Sequence, residues 1–200
     1  MKAIILISEA SLPLAKTLQR ELPDTLIYTK NECEGCISIT SCHRFIEEHF
    51  NDFDSIIFIG AMGICVRSIA GCIKNKYKDP AVVCVDSTGR FVISVLSGHV
   101  GGANELTRHI AAITGGEAVI TTQSDNAGLW ALDTLAGKYG WKITVPHAKM
   151  NRLVTLFVNR EPTALLLDIK DKGTEYLERT LPALSLIHIS EPTRLRCISY

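Results

Sequence analysis

The sequence predicts an α/β fold: a mostly parallel sheet flanked by helices in three layers, followed by a partial second α/β unit. Short runs rich in valine and isoleucine alternate along the chain with segments whose apolar residues recur at helical spacing. Several of these runs are continuously apolar, which is typical of strands buried on both faces. Because 46% of the 200 residues are hydrophobic and 21% are charged, the chain has enough apolar side chains for a sizeable core.

The first strand is predicted within residues 1–8, which hold an apolar run after a single lysine. This run lacks a small-residue cleavage site and is too short for a signal peptide, so it is interpreted as a buried strand. Ser11 is expected to cap the next helix, with Pro13 in its first turn. The apolar stripe of that helix consists of Leu14, Leu18 and Leu22.

The next predicted elements are a short helix over residues 43–50 and a buried strand over residues 54–59. This strand ends at Gly60, where the spacing of the apolar residues becomes helical. Arg67 points away from the resulting stripe. The stripe consists of Ala61, Ile64, Cys65, Ser68, Ile69 and Cys72.

Two further strands, at residues 81–85 and 91–96, flank the turn-forming segment 86–90. They form either a hairpin or adjacent strands. After a glycine-rich loop the sequence predicts a helix, a strand at residues 118–122 and another helix at residues 127–138. The first of these two helices has an apolar side formed by Leu106, Ile110 and Ile113.

The last third of the chain opens at residues 141–146, which are expected to form a linker or a short strand. A helix and a strand at residues 163–168 follow. We therefore predict a first α/β domain over residues 1–139, a partial second domain over 140–183 and a non-native tail over 184–200. The apolar stripe of the helix consists of Met150, Leu153, Val154, Phe157 and Val158.

The charge of the chain is balanced, with 21 basic and 21 acidic side chains. No net field therefore favours nucleic acid or an anionic membrane as a partner. The sequence holds no apolar stretch close to the roughly 20 residues that a membrane-spanning helix needs. We expect a cytoplasmic protein without nucleic-acid or membrane partners, and the sequence leaves its oligomeric state open.

The seven cysteines are expected to be reduced thiols, because several of them lie among residues of the core type. Cys33, Cys36, Cys42 and His43 nominally supply the four ligands of a zinc or iron–sulfur site. Adjacent Cys42 and His43 are difficult to direct at one ion. A reduced surface loop is the alternative, and no metal site is predicted.

The glycine-rich segment 97–105 is the first candidate site. Its glycines permit positive φ, and the helix that follows can offer free N–H groups to an anion. In that interpretation a loop histidine acts as a general base near neutral pH. In the structural alternative, the segment is a tight strand-to-helix turn. The candidate catalytic residues are His99 and Glu105, and the candidate substrate-binding residues are Gly98, Gly101, Gly102 and Asn104.

A second candidate site follows the strand at residues 54–59, where Gly60 and Gly63 precede Arg67. The guanidinium of Arg67 could bind a carboxylate through two hydrogen bonds, or could lie on a solvated helix face. Neither glycine segment has the spacing of a dinucleotide-binding or P-loop motif. Strand ends, where ligands of open α/β sheets bind, also carry the candidate substrate-binding residues Asp86, Arg90 and Asp125.

Three segments are distinctive enough to compare with known families: residues 58–67, 79–83 and 89–106. The last contains Ser97-Gly98-His99-Val100-Gly101-Gly102-Ala103-Asn104. With them, the stretch from residue 54 to about 133 resembles the N-terminal domain of the cobalt-precorrin-5A hydrolase family, the CbiG family. Residues 140–168 resemble the start of the family's middle domain. The tail after residue 183 resembles a translated adapter or vector read-through.

The resemblance implies hydrolytic opening of the δ-lactone of cobalt-precorrin-5A, with release of acetaldehyde, in the anaerobic route to vitamin B12. Cobalt arrives within this tetrapyrrole substrate, so no cofactor is expected. We expect Arg67, Arg90 and the amides around residues 98–102 to bind carboxylates or the oxyanion, with His99 or Glu105 as the base. The alternatives are a noncatalytic corrinoid-binding module and a nucleotide- or phosphosugar-binding domain.

Overall fold

The computed structural model describes residues 1–167, 170–180, 185–189 and 197–198. The chain forms two compact units, residues 1–121 and residues 122–200. The first unit contains the larger sheet, and the second contains a smaller sheet with its own helices. The domain boundary predicted at residue 139 lies inside the second unit, and this boundary stays a prediction.

The first unit is built on a seven-stranded sheet with the order β3-β2-β1-β4-β5-β6-β7. Its strands are β1 (Lys2–Leu6), β2 (Thr25–Thr29), β3 (Ile37–Ser38), β4 (Ser55–Ile59), β5 (Ala81–Val85), β6 (Phe91–Leu96) and β7 (Glu117–Val119). Its helices are α1 (Leu12–Glu21), α2 (Cys42–His49), α3 (Met62–Ile69) and α4 (Ala103–Thr114).

Strands β1 to β5 are parallel, whereas β6 is antiparallel to β5 and parallel to β7. The reversal follows from the five-residue connection 86–90, because parallel neighbours need a crossover of a dozen or more residues. Val85 pairs with Val92 at one end of this hairpin, and Val82 pairs with Leu96 at the other. Of the two arrangements left open by the sequence, the hairpin is the observed one.

The sheet is covered on both faces, which confirms the three-layer prediction. Helices α1 and α4 pack on one face, where they bury Ile4 and Leu6 of β1. Helices α2 and α3 pack on the other face, where they bury Ala3 and Ile5 of the same strand. Successive side chains of a strand point to opposite faces, so a strand buried on both must be apolar throughout.

Two local features of the first unit differ from the sequence-based expectations. The Ser11 hydroxyl does not cap α1; it donates a hydrogen bond to the Ser87 carbonyl oxygen at 3.1 Å and so links α1 to the β5–β6 turn. Strands β2 and β3 had not been predicted. Strand β3 has only two residues, both exposed, and therefore has no burial pattern that could indicate it.

The second unit contains a three-stranded sheet with the order β10-β8-β9. The helix predicted over residues 127–138 is wrong, because residues 127–134 are irregular and separate a short helix that ends at Asn126 from another that begins at Leu135. Gly128, with φ of +64°, lies in that segment. The elements are α5 (Gln123–Asn126), α6 (Leu135–Tyr139), α7 (His147–Val158), β8 (Thr163–Leu167), α8 (Lys172–Arg179), β9 (Ser185–Ile189) and β10 (Cys197–Ile198).

The core of the second unit is aromatic. The ring of Trp130 stacks on Phe157 with centroids 5.8 Å apart, and its indole N–H donates to the Thr180 hydroxyl at 2.9 Å. Residues 141–146 form neither a helix nor a strand. Within the predicted tail 184–200, the structure describes only the residues of β9 and β10. Asp168, the last residue of the strand predicted at 163–168, also lies outside the described residues.

Candidate functional site

The strand order of the first unit creates a topological switch point between β1 and β4. From β1 the chain proceeds through α1 to β2 on one side, and from β4 it proceeds through α3 to β5 on the other. Helices α1 and α3 lie on opposite faces of the sheet. In open α/β sheets, ligands bind in the crevice at such a point, outside the carboxyl ends of the strands.

The carboxyl edge, defined here as the edge where β1 to β5 end, brings five predicted residues together, one of which is Arg67 of α3. Leu6, Ile59 and Val85 pair in register as the last residues of β1, β4 and β5. The predicted residues that directly follow these strand ends, or lie in the connections that start there, are Gly60, Gly63, Arg67, Asp86 and Arg90.

Gly60 turns the chain out of β4 at the switch point. Its amide donates to the Val85 carbonyl oxygen at 2.9 Å, and its φ is +155°. A Cβ atom at this position would lie 2.9 Å from Cγ1 of Ile7, which follows β1. The segments that follow β1 and β4 approach each other so closely that this position requires glycine.

The first turn of α3 offers donors to an anion. The amides of Ile64 and Cys65 donate to the Ala61 carbonyl oxygen at 2.9 and 3.3 Å. Those of Met62 and Gly63, at the first two helical positions, have no acceptor among the described residues. Ala61 at the N-cap has no side-chain oxygen to cap them.

Arg67 adds a cation to this helix terminus. Its Nη1 and Nη2 atoms are 3.4 and 3.5 Å from the position that a Cβ of Gly63 would occupy, so the guanidinium folds back one turn over the glycine. Both residues are exposed. A guanidinium beside unpaired amides and the positive end of a helix dipole forms an environment suited to a carboxylate.

Asp86 serves the β5–β6 turn. Its carboxylate accepts hydrogen bonds from the Phe91 amide at 2.6 Å, from the Thr88 amide at 3.0 Å and from the Thr88 hydroxyl. Partial burial alone would raise the pKa of Asp86, but the Thr88 hydroxyl and the amides of the turn together hold it below the ordinary value. Its oxygens are thus occupied within the turn.

Arg90, in the same turn, is exposed, and its guanidinium lies 4.8 Å from the centre of the Phe91 ring. Phe91 is itself 36% exposed. The pair places a cation and an apolar ring at the carboxyl edge, two strands away from β1.

The second glycine-rich loop, residues 97–102, lies at the opposite edge, where β5 begins and β6 ends. The Ser97 hydroxyl donates to the Asp79 carbonyl oxygen at 2.9 Å, just before β5. The five-residue β5 separates the two edges by about 13 Å. The structure therefore does not bring this loop, with its residues Gly98, His99, Gly101, Gly102, Asn104 and Glu105, together with Arg67 and Arg90.

The amides of this loop and of the helix that follows donate inward. Gly102 donates to the His99 carbonyl oxygen at 3.1 Å, Ala103 to Ser97 at 3.2 Å and Asn104 to Gly98 at 2.9 Å. Ser97 and Gly102 have φ of +57° and +83°. The loop forms a tight, internally bonded turn, which agrees with the structural alternative considered from the sequence.

Asn104 secures this turn from the interior. It is 3% exposed and accepts a hydrogen bond from the Ser94 hydroxyl of β6 at 2.7 Å. A Cβ on Gly98 would lie 2.7 Å from Oδ1 of Asn104, and one on Gly101 would lie 2.5 Å from Cβ of Ser97. These glycines are therefore needed for packing.

The remaining predicted residues are placed as follows. His99 is half-buried in the loop, and Glu105 is exposed in the first turn of α4. Asp125 belongs to the second unit, where it accepts a hydrogen bond from the Thr122 hydroxyl at 2.6 Å. Their chemical roles stay predictions.

Sequence reasoning missed Ser8 and Glu9, which lie one and two residues beyond Ile7 after β1, at the switch point, and are exposed. The available signal was a polar pair placed immediately after a continuously apolar strand. This signal indicates a site only once β4 is known to lie beside β1, because that pairing creates the switch point.

The expectation of reduced thiols is wrong for one pair, because Cys33 and Cys36 form a disulfide. This bond removes two of the four ligands of the nominal metal site, and the third, Cys42, is buried. Among the described residues no group of three or more histidines, cysteines or carboxylates is arranged to hold a metal ion. No helix among the described residues is long and apolar enough to span a membrane.

Comparison with known families agrees with the sequence pattern. The model described as cobalamin synthesis G N-terminal matches residues 44–125, and the cobalamin biosynthesis central region matches residues 130–198. The chain belongs to the CbiG family. Both glycine-rich loops, with Arg67 and Asn104, lie within the first match.

Two curated relatives extend the comparison over most of this CbiG-family chain. Cobalt-precorrin-5A hydrolase from Salmonella typhimurium is 34% identical over 98% of the chain and 58% of its own length. The protein of the same name from Priestia megaterium is 33% identical over 90% of the chain and 50% of its own length. The chain thus spans about half the length of the curated relatives it matches.

The fold has a counterpart among solved structures. A cobalamin biosynthesis protein G homolog from Sulfolobus solfataricus superposes with a TM-score of 0.51 at 21% identity. The superposition covers 86% of this chain and 51% of the other. This likeness supports the α/β fold.

Proposed function

We propose that this CbiG-family chain acts on cobalt-precorrin-5A, opening its δ-lactone with release of acetaldehyde, in anaerobic cobalamin biosynthesis. The proposal is supported by the names of the two relatives that match nearly the whole chain. Cobalt is part of the substrate in this proposal, and the chain supplies no cofactor of its own. The chain acts within the cytoplasm and needs neither nucleic acid nor a membrane.

The observation that carries the binding part of the proposal is the position of Arg67 over Gly63 at the switch point. The substrate is a macrocycle with acetate and propionate side chains. A guanidinium can bind one such carboxylate through two hydrogen bonds, and the Met62 and Gly63 amides can bind it or a developing oxyanion. Arg90 and exposed Phe91 then offer a second cation and an apolar surface at the same edge.

The general base must lie within hydrogen-bond reach of the water that it activates. His99 and Glu105 meet this requirement only for a lactone held at the amino edge, which is the edge opposite Arg67, where β5 begins and β6 ends. Glu9, which follows β1, meets it more readily for a lactone held at the carboxyl edge. We therefore propose the carboxyl edge for substrate binding, and single substitutions distinguish the two edges.

The test is acetaldehyde release and tetrapyrrole binding by the full chain, under anaerobic conditions, with cobalt-precorrin-5A. Arg67→Ala should weaken binding by about 10- to 100-fold, because hydrogen bonds to charged groups contribute about 1.5–3 kcal/mol. Arg20→Ala is the matched control, since Arg20 is an exposed arginine of α1 whose guanidinium donates to the Thr17 hydroxyl at 3.2 Å. Arg67→Lys should restore binding only in part.

The outcomes separate the hypotheses. Unchanged binding by Arg67→Ala, together with lost turnover by His99→Ala, would move the site to the amino edge. Binding without acetaldehyde release by the unmodified chain would favour the noncatalytic corrinoid-binding module. Binding of a nucleotide but no tetrapyrrole would favour the nucleotide-binding alternative.

A further inference from the structure

The segment between β2 and β3 contains a Cys-x-x-Cys motif that the proposed function does not use. Cys33 and Cys36 are joined by a disulfide across a turn in which the Cys36 amide donates to the Cys33 carbonyl oxygen at 3.1 Å. Gly35 has φ of +70°, a conformation that glycine adopts without steric cost. The backbone alone thus holds the two cysteines close together.

Lys16 of α1 provides a second restraint on this turn. Its ammonium donates to the Glu34 carbonyl oxygen at 2.9 Å and to that of Gly35 at 3.3 Å. Because the backbone hydrogen bond, Gly35 and Lys16 all act independently of the sulfur–sulfur bond, the thiols should stay adjacent after reduction. A ring closed between residues i and i+3 also constrains little of the unfolded chain, so the disulfide contributes little to global stability.

The pair is more accessible than the three buried cysteines. Cys33 and Cys36 are half-buried, and the turn between them, Glu34 and Gly35, is exposed. Cys42 is buried, and burial raises the pKa of its thiol. Cys65 and Cys84 are buried in the core, and Cys72 is half-buried against it. A reagent in solution therefore reaches the Cys33–Cys36 pair before the buried thiols of Cys42, Cys65 and Cys84.

We propose that Cys33 and Cys36 form a reversible dithiol–disulfide site, with Lys16 supplying both the restraint and the positive charge beside it. This proposal does not depend on the hydrolase proposal. A thiolate of a dithiol reductant attacks one cysteine sulfur, forms a mixed disulfide and releases the other cysteine as a thiolate. The second reductant thiolate then displaces the remaining cysteine, so that two electrons and two protons pass from the reductant to the protein.

The reverse reaction uses a small-molecule or protein disulfide as the oxidant, which takes up the same two electrons and two protons. Lys16 favours reduction because a nearby ammonium stabilises the cysteine thiolate that leaves. The partner is thus a dithiol, and the residues that receive it are those of the exposed turn.

The test follows the tryptic peptide 31–44, which contains Cys33, Cys36 and Cys42. The native full chain is equilibrated with dithiothreitol or with oxidised glutathione, quenched in acid, and then labelled with N-ethylmaleimide in denaturant. We expect one label on the oxidised peptide, three after reduction and one again after reoxidation. Cys33→Ser should carry two labels after reduction, and with oxidised glutathione its Cys36 can form only a mixed disulfide with glutathione, not the internal bond.

Three labels on the chain kept with oxidised glutathione would overturn the proposal. A single label that persists on the native chain in excess dithiothreitol, while the denatured chain acquires three, would overturn it as well. Lys16→Met should slow reduction about threefold, because the leaving thiolate loses the positive charge beside it. Lys2→Met is the matched control, because Lys2 also donates to a backbone carbonyl, that of Pro23, at 3.0 Å. Equal rates for the two variants would overturn the role of Lys16.

Discussion

The guanidinium of Arg67 lies over Gly63, with Nη1 and Nη2 at 3.4 and 3.5 Å from the position that a Gly63 Cβ would occupy. Because glycine leaves this space open, the guanidinium of Arg67 lies beside the first turn of α3. The candidate carboxylate site therefore depends on the lack of a side chain at Gly63 as much as on the cation of Arg67.

Gly63→Leu should separate binding from stability. A leucine side chain would enter the space that the guanidinium occupies, so we expect the affinity for cobalt-precorrin-5A to fall about tenfold. Replacing an exposed helical glycine should leave the free energy of unfolding unchanged or raise it by up to about 1 kcal/mol. Binding titrations and urea denaturation would measure both quantities. Gly71→Leu is the control, since nothing lies within 4 Å of a Cβ at that position; equal affinities would contradict the prediction.

Asn104 and Ser94 should stabilise the first unit as a coupled pair. The Ser94 hydroxyl donates to Oδ1 of buried Asn104 at 2.7 Å. Asn104→Ala should lower the free energy of unfolding by about 2 kcal/mol, because it leaves buried partners without their hydrogen bonds. A double-mutant cycle with Ser94→Ala, measured by denaturant unfolding, should give a coupling of at least about 0.5 kcal/mol. Additive losses would show that the two side chains act separately.

Thr107→Val should stabilise the protein. The Thr107 hydroxyl is fully buried in α4, and its oxygen has no hydrogen-bond partner among the described residues. Valine has nearly the same shape and removes the cost of an unsatisfied polar group, so we expect a gain of about 1 kcal/mol in unfolding free energy. Thr17→Val serves as the comparison, because the Thr17 hydroxyl donates to the Pro13 carbonyl oxygen at 3.1 Å. A loss of stability in Thr107→Val would contradict the prediction.

The Asp86 carboxylate should make stability depend on pH in the acid range. Partial burial opposes its ionisation, but hydrogen bonds from the Thr88 hydroxyl and the turn amides prevail, so the pKa is lower in the folded chain than in the unfolded one. The stabilisation is therefore present above the unfolded value of about 3.9 and is lost as the pH falls through the folded value.

Urea midpoints of the unmodified chain and Asp86→Asn, compared between pH 6 and pH 3, would check this dependence. The difference between the two proteins should be largest at pH 6 and should shrink below about pH 4. Glu21→Gln, an exposed substitution in α1, provides the background change. A difference that is the same at both pH values would show that Asp86 does not cause the dependence.

Several elements could be predicted because their sequence patterns are strong. Strands β4, β5 and β6 are apolar runs bounded by turn residues, and α4 shows a helical stripe, so their types were confirmed. The helix predicted over residues 127–138 was wrong because its apolar spacing did not reveal the irregular segment with positive φ at Gly128. The disulfide was missed because spacing alone does not distinguish a paired from a reduced Cys-x-x-Cys.

The sequence by itself determined the α/β class, the family resemblance and the two glycine-rich loops, because apolar periodicity and residue identity are local properties of the chain. Only the tertiary structure decided that Arg67 and His99 lie at opposite edges of one sheet. The order and direction of strands depend on which neighbours pair, and no local pattern encodes that choice. A short turn after β5 reverses β6, and this reversal carries the loop that follows β6 to the edge opposite Gly60 and Arg67.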